Sequence, residues 1–377
     1  MVDREYREYS GLSIIGAALA MAFGPAAAGQ QPASPIKPDE VVVFYPTFAR
    51  QDADDRSWRV SIHGSIVEPE ARSLKRALLV KVFREMLPGQ LSREEREIFD
   101  RRVRLLLVDG ERGKTIPIRL GPALVEVGPS GGDGHFRGEI RLTQDEMDSW
   151  FGGRQPAEGW ASLSAVLPPR DHRAFEGRIV AMTSGGLSVI SDIDDTIKVT
   201  NVRQRKELLA NSFVRPFRAV PGMAEAYRAM AEGKATFHYV SASPWQFYPA
   251  LAEFVRDARF PAGTFHLKSV RFTDSSVGNL FGSQQEYKTG EIEAILKAFP
   301  RRRFVLVGDS GEQDPEIYGN LARKYPDQVG AVWIRNVTEE SADNSRCRAA
   351  FAEVASSRWL VFREPTELRE RAQQILK

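Results

Sequence analysis

The sequence holds a single cysteine, Cys347, among 377 residues, so no disulfide can form within the chain. It lacks a dominant charge: 52 Lys and Arg against 50 Asp and Glu leave +2, without the basic surplus that a dedicated nucleic-acid binder carries. A nucleic-acid partner is therefore not expected, and any anionic ligand must be held by a local cluster. His63, His238 and His266 stand in strand-like runs with no metal-ligand spacing to a partner, so structural roles are expected for them. Beyond Phe23 no apolar run is long enough to span a bilayer.

What is present at the N-terminus is an apolar run, Leu12 to Phe23, followed by an Ala26-x-Ala28 pattern of the kind cleaved after a signal peptide. Asp3, Glu5 and Glu8 depart from the positive flank such a signal should have, which leaves an uncleaved anchor or a misassigned start as alternatives. The expected location is the periplasm or envelope, or the cytoplasm if the segment is not a signal. The length suggests two domains. Expected divisions are a signal or anchor over 1–29, a Pro-rich linker over 30–40, a β-rich domain over 41–183 and a second domain over 184–377.

The β-rich stretch contains "VVVFYPTFA", "SWRVSIHGSIV", "RRVRLLLVDG", "KTIPIRL", "HFRGEIRL", "GWASLSAVLP" and "FEGRIVAM", all read as strands and separated by turn signals such as "GPSGGDG". A helical insertion, "LSREEREIFDRR", opens with a capping box formed by Ser92 and Glu95. A sandwich or barrel-like fold is expected there. From Gly185 the rhythm becomes strand, loop, helix: "LSVISDI", "ATFHYVS", "TFHLKSV", "RFVLVGD" and "GAVWIRN" alternate with helical stretches. This predicts an α/β, Rossmann-like doubly wound parallel sheet, with its ligand site beyond the carboxyl ends of the strands. Arg301 to Arg303, before "FVLVGD", reads as a solvated connection.

Reactive residues fall at those strand ends. Asp192, Asp194 and Thr196 follow the first strand in "DIDDT", Ser241 ends the second, Lys288 opens the helix before the fourth, and "GDSGEQD" brings Asp309 and Asp314. Carboxylates packed at the end of a buried strand repel one another unless a cation neutralises them. The set, in this order, resembles the haloacid dehalogenase superfamily. More narrowly, "LSVISDIDDTIKVT", "YVSASPWQFYP", "FHLKS" and "GDSGEQDPEIY" are similar to the catalytic domain of actin-patch-associated phosphatidate phosphatases of fungi and their bacterial relatives, over about Gly185 to Val337.

The resemblance implies a phosphatase in which Asp192 is the nucleophile, forming an acyl phosphate, and Asp194 is the general acid and base. It implies Mg²⁺ held by Asp192, Asp309, Asp314 and the backbone carbonyl of Asp194, with Ser241 and Lys288 donating to phosphoryl oxygens and Thr196 orienting the loop. Asp195 occupies a variable position, and a structural role is expected. By resemblance the substrate is a phosphate monoester of the phosphatidate class, with peripheral membrane contact. Two stretches could choose it. One is Thr200 to Gly222, where a small cap or flap is common. The other is Arg271 to Tyr287, whose Arg271, Phe272, Leu280 and Phe281 are candidate lipid contacts. A phosphatase of soluble phosphomonoesters and a non-catalytic envelope-binding module are the rival readings.

Overall fold

The computed structural model describes residues 34–52, 57–69, 90–153, 159–270, 284–338, 344–368 and 371–372. The expectations for residues 1–29 and for Arg271, Phe272, Leu280 and Phe281 fall outside them. Strands β1 (Val41–Phe44), β2 (Thr47–Gln51), β3 (Ser57–Pro69), β4 (Val108–Gly110), β5 (Ile116–Leu120), β6 (Ala123–Val127), β7 (His135–Thr143), β8 (Trp160–Ala165) and β9 (Glu176–Met182) join in one sheet. β3 is its spine, pairing with β1, β2, β4 and β7. From Ser57 to Ile62 buried and half-buried residues alternate, as in a strand with one face to the core. From Ile62 to Ile66 every residue is buried, because Trp245 of the second half covers the outer face, its ring 4.6 Å from that of His63.

Helix α1 (Arg93–Leu106) carries the expected capping box, with both the Ser92 and Glu95 hydrogen bonds formed. It corrects one expectation: "RRVRLLLVDG" is not a strand but the end of this helix, followed only by the short β4. Ile98, Phe99, Arg102, Val103 and Leu106 are its buried residues, a helix-spaced stripe that outweighs the strand-like local composition. The short helix α2 (Gln144–Trp150) and β6 were not read from the sequence.

The second sheet is α/β and wholly parallel, built from β10 (Leu187–Ser191), β11 (Thr236–Pro244), β12 (Gly263–Lys268), β13 (Arg303–Asp309), β14 (Val329–Arg335) and β15 (Trp359–Phe362), in the order β12-β11-β10-β13-β14-β15. Its helices are α3 (Arg205–Phe213), α4 (Met223–Glu232), α5 (Tyr248–Asp257), α6 (Gln284–Ala298), α7 (Asp314–Lys324) and α8 (Ser345–Ala350). The chain steps outward from β10 to β12, then returns to the other side of β10 as β13. That reversal opens a crevice at the carboxyl ends of β10 and β13.

Arg302 departs from the solvated reading. It is 1% exposed and donates to the carbonyls of Thr183, Gly185 and Leu187 and to the Ser188 and Thr236 hydroxyls, stitching the segment between the sheets to the start of β10. No helix among the described residues is long and apolar enough to cross a membrane.

The β-rich half has its own buried charge. Asp52 accepts from Ser57 Oγ at 2.7 Å, Arg59 Nε at 2.6 Å and Arg141 Nη2 at 2.7 Å. Burial opposes ionisation, but the hydrogen bonds from Arg141, Ser57 and Arg59 outweigh it and hold the carboxyl at about 2. Asp52→Asn is expected to cost about 1 kcal/mol at neutral pH, a modest figure because both arginines are partly solvated. Since the folded value lies below the unfolded one of about 3.9, this stability is complete above that pH and is lost as pH falls towards 2. Melting temperatures of wild type and variant should therefore converge in acid; a gap that stays constant would refute this account.

Candidate active site

Asp192 stands immediately after β10, and its amide donates to Val307 O of β13 at 2.9 Å, which fixes the carboxylate over the crevice. Thr196 Oγ1 donates to Asp192 Oδ2 at 3.0 Å. Lys288, in the second turn of α6, places Nζ 2.9 Å from Asp192 Oδ1, 2.8 Å from Glu312 Oε2 and 2.8 Å from Asp314 Oδ1. Lys288 and Asp192 are each 1% exposed, and Asp314 is fully buried. Burial alone would strip the proton from Lys288, but Asp192, Asp314 and Glu312 outweigh it and hold the ammonium well above its usual range.

Asp309 ends β13. Its Oδ1 accepts from the amides of Gly311 at 2.6 Å and Glu312 at 3.3 Å, while its Oδ2 is buried with no hydrogen-bond partner. Asp192, Asp309 and Glu312 each offer an oxygen within 4.8 Å of the others. A buried cluster with one Lys288 ammonium among Asp192, Asp309, Glu312 and Asp314, and with an orphaned carboxylate oxygen, fits a hard cation that binds through oxygen. Burial drives Asp192 and Asp309 well above the usual carboxylate range, with their acidic neighbours adding to the effect; added positive charge would reverse this. Glu312 was not singled out in the sequence, since it fills a variable position of "GDSGEQD". Asp314 is instead committed to Lys288 and to the Asp309 amide, which donates to its Oδ2 at 3.2 Å. Gly308 makes this packing available, because a Cβ there would collide with the Asp314 side chain.

Asp194 has different company. Lys198 Nζ lies 2.7 Å from its Oδ1, Thr200 Oγ1 donates to the same oxygen at 2.8 Å, and Ser241 and Ser243 hydroxyls each donate to Oδ2 at 3.2 Å. Burial pushes Asp194 up, yet the Lys198 charge and the Lys198 and Thr200 hydrogen bonds outweigh it and lower its pKa. Ser241 and Ser243, two apart on β11, point to one side, next to a register shift against β12. Asp195 resolves as a brace: its carboxylate accepts from the amides of Thr200, Asn201 and Val202 at 2.7, 2.8 and 2.7 Å.

All the predicted residues within the described part meet here: Asp192, Asp194, Thr196, Ser241, Lys288, Asp309 and Asp314. Above them opens a cleft of about 650 Å³ with Asp194, Ser241, Ser243 and Glu312 on its polar side and Leu208, Phe213, Phe217, Phe247 and Leu251 among its apolar lining. Much of that apolar wall comes from the Thr200 to Gly222 stretch.

Lys288→Met should leave the carboxylate cluster without its internal cation and cost about 3 kcal/mol. Because a divalent ion can replace that charge, adding Mg²⁺ should raise the variant's melting temperature more than the wild type's. Equal responses would separate Lys288 from the cluster's charge balance.

Residues 187–336 match the family model described as phosphatidate phosphatase APP1, catalytic domain. The phosphatidate phosphatase APP1 of Saccharomyces cerevisiae is 35% identical over 162 residues, covering 42% of this chain and 27% of the yeast protein. An uncharacterized protein of Schizosaccharomyces pombe is 29% identical over 173 residues, 45% of this chain and 28% of its own length. The chain thus spans little more than a quarter of these curated relatives. A solved HAD family hydrolase of Deinococcus radiodurans, with bound phosphate and sodium, overlays at a TM-score of 0.29 with 16% identity, covering 50% of this chain and 96% of its own. Over residues 187–336, then, the chain is similar to the phosphatidate phosphatase APP1 catalytic domain, in agreement with what "DIDDT", "YVSASP" and "GDSGEQD" implied.

Proposed function

We propose that the chain is a Mg²⁺-dependent phosphatase of a phosphatidate-like lipid phosphate monoester, acting through an aspartyl phosphate on Asp192. The observation that carries the reading is the convergence of Asp192, Lys288 and Asp309 beside Asp194 at the mouth of a cleft with an apolar wall. In this reading an Asp192 oxygen attacks phosphorus. An acyl phosphate bond forms as the ester P–O bond breaks, and the leaving alkoxide takes a proton from Asp194. Water then attacks the phosphorus of that acyl phosphate, gives its proton to Asp194, and releases inorganic phosphate and free Asp192. Ser241 and Lys288 would donate to the phosphoryl oxygens. The cation, held by Asp192, Asp309 and Glu312 with the Asp194 carbonyl, would when bound neutralise charge on the phosphoryl group.

Asp194 starts ionised among Lys198, Thr200, Ser241 and Ser243. A phosphate dianion arriving beside it raises its pKa, the direction a general acid requires. The apolar wall supports a lipid over a sugar or nucleotide phosphate, since Leu208, Phe213, Phe217, Phe247 and Leu251 offer no hydrogen bonds to hydroxyls. Export and peripheral membrane contact belong to the same proposal, export resting on the Leu12 to Phe23 run and membrane contact on the lipid nature of the substrate.

Phosphate release from phosphatidate in mixed micelles should be abolished by chelator, restored by Mg²⁺, and exceed release from an aryl phosphate. Asp192→Asn should lower it at least about a thousandfold with the fold retained. Release from the aryl ester alone would remove the lipid, and full activity in Asp192→Asn would remove the nucleophile.

A further inference from the structure

The apolar wall of the cleft is not held by the parallel-sheet half alone. Phe99, Val103, Leu106 and Leu107, in and just after α1 of the β-rich half, share one core with Leu209, Phe213, Val214, Phe247 and Leu251. Arg102 lies on the same stripe of α1 and is 4% exposed. Its Nη1 donates to Ser212 O at 2.9 Å and more weakly to Asn211 O at 3.5 Å, in the last turn of α3. These are carbonyls that a helix end leaves without internal partners, and the negative end of the helix dipole favours a cation there. The same guanidinium sits over the Phe217 ring, with Cζ 3.7 Å from its centroid.

Among the described residues no carboxylate pairs with Arg102. Burial, with Arg101 nearby, outweighs the favourable charge of Glu253 and pulls its pKa down to about 9, so keeping a cation there is costly. Phe217 lines the cleft and also carries Lys198 Nζ at 4.9 Å from its centroid, the lysine paired with Asp194. One ring therefore joins the β-rich half to the wall of the cleft and, through Lys198, to Asp194.

We propose that Arg102 is a positioning residue for substrate choice: by capping α3 and stacking on Phe217, the β-rich half sets the apolar wall against which the acyl part of a lipid phosphate packs. The inference rests on the lipid phosphatase reading. A small aryl phosphate covers little of this wall and should depend on Arg102 weakly; a lipid phosphate, whose chains run along Phe213 and Phe217, should depend on it strongly. Lysine keeps the charge but loses the planar stack and the fork of donors.

The test compares the full chain with Arg102→Lys, Phe217→Leu and the double variant, on phosphatidate in mixed micelles and on an aryl phosphate. In Arg102→Lys, KM for phosphatidate should rise about tenfold with kcat held within about twofold, and KM for the aryl phosphate should rise by less than about twofold. Phe217→Leu leaves the α3 cap in place and should raise the KM for phosphatidate; adding Arg102→Lys to it should then raise KM less than Arg102→Lys does in the wild type, because the stack is already gone and only the cap remains to be lost. Equal losses on both substrates, or independent effects of the two substitutions, would overturn the proposal.

Amide hydrogen exchange needs no substrate and separates the two readings. Residues 209–217 should exchange about tenfold faster in Arg102→Lys while β10 stays protected; unchanged exchange would remove the positioning role. If the wild type hydrolyses neither substrate, the phosphatase reading falls and the acyl-chain assignment falls with it.

Discussion

The organisation of the parallel-sheet half follows from one electrostatic constraint: Asp192, Asp309, Glu312 and Asp314 converge out of water around one ammonium, Lys288. Such a cluster is destabilising by itself, because burial and mutual repulsion both favour protonation. The fold offsets this by backbone means. Asp309 Oδ1 takes two loop amides, the Asp314 carboxylate takes the Asp309 amide and sits at the start of α7, where the helix dipole favours it, and Gly308 lets the first turns of α7 approach the end of β13. Arg346 adds a clamp from α8, donating to Ser310 O at 2.6 Å and pairing with Glu316 at 2.7 Å. What remains uncompensated, an orphaned oxygen on Asp309, is the part that a cation would complete.

The same constraint separates Asp192 from Asp194, two residues apart in the chain. Asp192 faces the acidic cluster and is pushed up; Asp194 faces Lys198 and hydroxyls and is held down. A strand followed by a tight loop sends the two carboxylates to opposite environments, and Asp195, at φ 53°, turns the chain directly after them. The three amides on its carboxylate make that backbone conformation worth its strain. The third carboxylate of "DIDDT" is thus there to shape the loop.

Much of this was legible because chemistry in a parallel sheet gathers where strands end, and strand ends can be read from apolar runs: Asp192 after "LSVIS", Ser241 in "FHYVSASP", Asp309 after "RFVLVG". Lys288 was legible only through resemblance, since a lysine in a helix is ordinarily solvated. Glu312 was hidden because a loop residue's direction depends on backbone turns that no period encodes. Arg102 and Arg302 were hidden for a related reason: each is buried against carbonyls, and a sequence gives no sign of which carbonyls lack partners. The strand reading of "RRVRLLLVDG" failed because β-branched and leucine-rich runs suit either element, and the capping box upstream decides the matter only once the helix is known to run through.

The division of the chain into a β-rich half and a parallel-sheet half is clear in strand pairing and blurred in side-chain packing. Among the described residues no strand of one sheet pairs with a strand of the other, yet Tyr45, Phe99 and Val103 belong to the same buried cluster as Phe213, Trp245 and Phe254. Tyr45 and Trp245 pack with ring centroids 4.1 Å apart and planes tilted by 37°, just beyond Ser241 and Ser243, and the Phe265 amide donates to Pro46 O at 3.3 Å. Aromatic contacts of this kind contribute beyond their buried area, and separating the halves would expose all of it. The end of β11 that carries Ser241 and the helix that walls the cleft are therefore backed by side chains from the other half. The β-rich half is in this sense part of the site's scaffold, whatever surface it also presents outward.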